Sequence, residues 1–157
     1  MGEENTALSA TWYYHQKLRN GKHKIVMNNA RNYLERKQCS PAADALWSCF
    51  SGAKKKYSVR NYASAFCACN ARATNEYSSR HHLAYLINVF DNPFVISWFK
   101  EHGVTVDNDT FALSQLLQWI WRSAIRNDEP VDLYLPSSRM RRLLMNWLGE
   151  NSSHKAS

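Results

Sequence analysis

Apolar residues in this chain come in short blocks, some at helical spacing and some continuous, divided by polar punctuation. From Ala7 to Arg19, Leu8, Trp12 and Leu18 fall towards one side of a helix that stops at Asn20-Gly21. The run Ile25-Val26-Met27, inside Lys24 to Asn28, is short and wholly apolar, which predicts a buried strand. Ser40-Pro41 supplies an N-cap and a first-turn proline, and Leu46, Phe50 and Ala53 keep helical spacing as far as Lys54-Lys55-Lys56. Tyr62 to Cys69 reads as a second strand with small residues, and Asn70 to Tyr77 as a polar loop. His82 to Phe90 is predicted to be a short helix ended by Asp91-Asn92-Pro93. Pro93 then opens another, through Trp98-Phe99, that Gly103 closes. Asp107 or Asp109 caps a long helix reaching Arg126, and Val131 to Leu135 forms the third strand. Ser137 or Ser138 caps a last helix that buries Met140, Leu143, Leu144 and Trp147, and Gly149 onward reads as a frayed tail.

Strands separated by helices predict an α/β layer arrangement with a short, mostly parallel sheet flanked by helices. The 157 residues fit one domain, 1–150, with 151–157 as a disordered tail. Apolar residues at 45% and aromatics at 13% supply a core and argue against wholesale disorder. In sheets of this kind, ligands bind in polar loops at the carboxyl ends of the strands. The Asn70 to Tyr77 loop is placed at such an end.

Charge narrows the partners. A formal +7 and a pI near 9.4 favour a polyanion, nucleic acid first and an acidic membrane surface second. No run approaches the roughly 20 apolar residues of a membrane span, and the acidic, polar MGEENTALSA start is unlike a secretory leader, so a cytoplasmic location is expected. Cys39, Cys49, Cys67 and Cys69 lack the spacing of a zinc site and read as reduced thiols.

Gln118, Arg122 and Arg126, at i, i+4 and i+8, climb one face of the predicted long helix just ahead of a buried strand. Guanidinium forks there suit a nucleotide phosphate, and the bland alternative is an exposed polar stripe opposite Leu117, Ile120 and Trp121. Lys54, Lys55 and Lys56 with Tyr57, Arg60 and Tyr62 mix cations with rings, as a nucleic-acid surface does, or as the solvated end of a helix does. Arg72, Arg139 and Arg142 add charge that one surface gathers, with Thr74 and Asn75 as hydrogen-bonding groups or as loop caps. Adjacent His81 and His82 on a helix face different ways and chelate poorly, so no metal site is predicted. Trp119 and Trp121 lie about 200° apart on the long helix, so one of them is expected to face outward.

The succession ALWSCF, NARATNEYSSRHHLAYLINVF and DTFALSQLLQWIWRSAIRNDEPVDLYLPSSRMRRLL resembles the second RecA-like domain of superfamily 2 helicase-like proteins of phages and mobile elements, over about Tyr14 to Leu148. In that resemblance NARATNEY is similar to motif V and the Gln118–Arg126 stretch to motif VI, which implies Arg122 as an arginine finger for ATP held by another domain. Two positions depart from the pattern: Trp121 replaces the glycine before the first arginine, and Ile125 stands where the second arginine falls. No G-x-x-x-x-G-K-S/T loop and no DEAD-like acidic strand end occur in the chain. The resemblance therefore implies a nucleic-acid-binding domain, on DNA before RNA, that hydrolyses no ATP by itself. ATP and magnesium would enter at an interface with a separately encoded N-terminal motor domain. The rival expectation is a stand-alone DNA- or RNA-binding or protein-interaction module of a mobile element.

Overall fold

A parallel three-stranded sheet, order β1-β2-β3, organises the chain: β1 is Ala45–Ser48, β2 His82–Tyr85 and β3 Asp132–Tyr134. The computed structural model describes residues 6–15, 21–37, 39–54, 58–71, 75–105 and 107–154. Ala45 is level with His82 across the first pair, and His82 with Asp132 across the second. Side chains alternate between two faces, as the pleat requires. Ala45, Trp47, Ala84, Leu86 and Tyr134 meet the helices α1 (Ala10–His15) and α2 (Lys22–Asn32) on one face. Leu46, Leu83, Tyr85, Ile87 and Leu135 meet α5 (Asn108–Ile120) and α6 (Ser138–His154) on the other. The expected α/β architecture holds, and every strand pairing is parallel.

The second half of the chain follows its caps. Asn92 accepts a bond from the Phe94 amide at 3.0 Å and starts α4 (Pro93–Glu101). Asp107 accepts from the Asp109 amide at 2.9 Å and starts α5. The Ser137 hydroxyl accepts from the Met140 amide at 3.4 Å, and α6 runs from Ser138 past Gly149 to His154. α5 stops at Ile120, short of the expected Arg126, and the chain continues as a 3₁₀ turn, Ala124–Asn127.

Before α4, four expected elements change type. Lys24 to Asn28 lies in helix α2, not a strand: Val26, Met27 and Ala30 are buried on one side while Ile25 faces solvent. The predicted helix from Pro41 to Ala53 is instead a turn, strand β1 and the one-turn α3 (Ser51–Lys54). All four β1 residues are buried, so no period of two survives in the sequence to identify the strand. The same holds for β2, read as a helix: residues 83–88 are all buried, and this central strand pairs on both sides. Tyr62 to Cys69 keeps only one strand-like contact, a parallel bridge between Phe66 and Trp47, after a 3₁₀ turn at Ala63–Ala65. No helix among the described residues is long and apolar enough to cross a membrane.

Candidate functional site

At the carboxyl end of β2, the usual ligand position in such a sheet, the protein packs its own polar side chains. Asn88, just past β2, is fully buried and donates to the Ala7 carbonyl at 3.0 Å. Arg139, in the first turn of α6, lies beneath with 3% of its surface exposed. Its guanidinium donates to Asn88 Oδ1 (2.8 Å), the Val89 carbonyl (2.7 Å), the Asn108 carbonyl (3.0 Å) and Asp109 Oδ1 (2.7 Å), and the Phe90 ring covers it. An arginine with its donors turned inward contacts no phosphate. The expectation that Arg139 joins a basic surface is corrected: it ties β2, α5 and α6 together.

An open concavity lies near the other end of the sheet. Because α5 and α6 run back over β3, their carboxyl-terminal halves flank a groove of about 730 Å³ lined by Leu117, Ile120, Trp121, Val131, Leu144 and Trp147. Gln118, Arg122 and Arg126 line it too, so the structure does bring the three together. It does so without a continuous ladder, since Arg122 and Arg126 fall beyond the end of α5. Arg122 donates to the Ala71 carbonyl at 2.6 Å and more weakly to the Cys69 carbonyl at 3.4 Å. It therefore holds the start of the Asn70 to Tyr77 loop, and a finger role would require giving up those carbonyls. Arg126 is exposed and donates to Asn75 Oδ1 at 2.6 Å, so Asn75 acts here as the arginine's acceptor.

Among the described residues, the other predicted basic positions are spread between two regions. Lys54 stands over the Phe66 ring at 4.1 Å, and Arg60 is exposed in the turn that follows. Arg142 is exposed on α6, 4.0 Å from Asp109, at the opposite end of β3 from Arg126. Lys55, Lys56, Arg72 and Thr74 lie outside the described residues.

A second cluster, around His81 and His82, gathers at the amino end of the sheet. His81 Nδ1 is 2.7 Å from Asp44 Oδ1 and its Nε2 is 2.8 Å from Glu129 Oε2. His82, on β2, lies between Asp44 (3.5 Å) and Asp132 (3.3 Å). On the expected helix these neighbours would diverge, but at a strand start both reach one aspartate ahead of β1. Among the described residues no group of three or more such side chains could hold a metal ion. The hydrogen bonds to Asp44 and Glu129 raise the His81 pKa above its ordinary 6.5, because only the doubly protonated ring satisfies both carboxylates.

That shift sets a direction for stability. A raised folded-state pKa favours the native protein fully below the unfolded value of 6.5, and the gain disappears as pH climbs through the folded value. Glu35 and Asp107 shift downward and act only in the acid range, so they leave this window alone. The thermal midpoint is therefore expected to fall as pH rises above 6.5, and His81→Gln should flatten that slope. A slope unchanged by the substitution would remove His81 as its source.

With the geometry in view, comparison places the chain among known proteins. A family model described as the YonV C-terminal Rossmann-like domain matches residues 1–148. The SPbeta prophage-derived uncharacterized protein YonV of Bacillus subtilis (strain 168) is 45% identical over 148 residues, which is 94% of this chain. The chain spans about a third (35%) of the length of that relative. No solved structure matches.

Proposed function

Because the chain belongs to the YonV C-terminal Rossmann-like domain family, we propose that it is a phage-associated, non-motor module that grips nucleic acid, DNA before RNA, through exposed basic residues around Lys54 and Arg60. What supports this is where the carboxylates go. Glu35 binds Arg31 and Asn61; Asp44, Glu129 and Asp132 turn to the two histidines; Asp109 pairs with Arg139; Asp107 caps α5. Those acids are engaged by partners within the chain, while Lys54, Arg60 and Arg126 stand exposed on a chain of formal charge +7 and can meet a polyanion. Counterion release from phosphates then supplies affinity without a dedicated pocket.

A bound dinucleotide, which a Rossmann-like fold suggests, is not supported by these residues. None of the five glycines forms a G-x-G-x-x-G. Gly52, in the turn after β1, has the Tyr14 hydroxyl over it: an added Cβ would lie 3.1 Å away. The helicase-like form of the proposal adds a separate motor domain, with ATP and magnesium at its interface. Gln118 and Arg126, both exposed at the groove, are then better placed than Arg122 to approach the nucleotide.

A salt titration on labelled single- and double-stranded DNA and RNA tests the proposal. The expected log–log slope is negative, about 0.7–0.9 per phosphate neutralised, and Lys54→Glu with Arg60→Glu should flatten it by about one contact each. No binding at low salt, or a slope indifferent to both substitutions, would overturn it.

A further inference from the structure

We infer that α4 of one copy docks into the β3–α5–α6 groove of a second copy, joining chains head to tail. α4 is built as a helix: Asn92 caps it, Pro93 opens it, and Gly103, at φ +75°, follows its end. Yet no described residue of α4 is buried, and Phe94 and Trp98, one turn apart, are 85% and 54% exposed. A nine-residue helix gains little from propensity alone and draws its stability from packing an apolar face. The groove offers such a surface, apolar between two helices and flanked by Trp121, itself 61% exposed.

The two parts belong to one molecule but cannot meet within it. α4 joins the amino end of α5, whereas the groove lies at the carboxyl end of that helix, about 20 Å away along its 13 residues. Charge favours the pairing between copies. In a chain of +7, α4 and the residues that open it, 91–101, carry Asp91 and Glu101 against Lys100, a net −1. The charged residues lining the groove are Arg122 and Arg126. An anchor pair such as Phe94 and Trp98 at i and i+4 is how an amphipathic helix enters an apolar groove. Because the two surfaces differ, the contact is heterologous and propagates unless a ring closes.

Sedimentation velocity on the full chain over a concentration series tests this, with circular dichroism confirming that each variant is folded. The wild type should sediment above monomer mass, increasingly so with concentration. Trp98→Asp spoils the helix and Trp121→Asp the groove; both side chains are exposed, and each variant alone should be monomeric. An equimolar mixture should give a 1:1 dimer and stop there, since one competent helix then meets one competent groove. A wild type that stays monomeric at every concentration overturns the inference and assigns the groove to another occupant, such as the polypeptide that makes up the rest of the longer relative. Single variants that still associate, or a mixture that stays monomeric, would overturn it as well.

Discussion

Replacing Arg139 by methionine is expected to lower the unfolding free energy by about 1–3 kcal/mol, the range for leaving buried polar groups short of a donor. The substitution keeps an apolar stem in place and removes every donor. Asn88 Oδ1 and the half-buried Val89 carbonyl then each lose a charged donor, and Asp109 loses a two-nitrogen contact. Each orphaned buried acceptor costs about 1–3 kcal/mol, and the several losses share one origin. Arg142→Met is the control: three residues on, exposed and 4.0 Å from Asp109, it should change stability by no more than about 0.5 kcal/mol. Urea unfolding of the two variants and the wild type, with the slope checked for two-state behaviour, measures the difference. A stable Arg139→Met variant with weakened nucleic-acid binding would instead return this residue to the basic surface.

The same residue shows how far the sequence could be read. An arginine in the first turn of a helix looks alike whether it faces a phosphate or a buried asparagine, and Asn88 is 51 residues away. Elements with local punctuation were legible: α4, α5 and α6 begin at side chains that accept a bond from the helix amides, and those caps are written in sequence. β3, only partly buried, also emerged where expected. Strands β1 and β2 did not, because burial on both faces erases alternation and leaves an apolar run that a helix also accommodates. Misreading β2 carried a second loss. His81 and His82 were set on diverging helical faces, while their partners Asp44 and Glu129 stand 37 and 48 residues from His81. The groove was half legible: Gln118, Arg122 and Arg126 do converge, but the end of α5 that redirects Arg122 to loop carbonyls follows from tertiary packing.

The tryptophans of α5 carry the other large effect. Trp119→Ala is expected to cost about 3–5 kcal/mol, as truncation of a buried aromatic does. The ring is fully buried, packs on Tyr85 at 5.1 Å between centroids, and donates through its indole nitrogen to the Cys67 carbonyl at 3.2 Å. Its removal opens a cavity at the centre of the sheet face that holds α5 and leaves that carbonyl short of a donor. Trp121→Ala, two residues on and about 200° around the helix, should leave the monomer's stability within about 0.5 kcal/mol, because most of its ring already meets water. The pair separates what one helix does for the fold from what it offers outside. Chemical denaturation at a concentration low enough to hold the chain monomeric reads the first contribution without the second. Equal losses from the two substitutions would mean that Trp121 also belongs to the core, and the groove it flanks would then be part of the packing and not a surface for a partner.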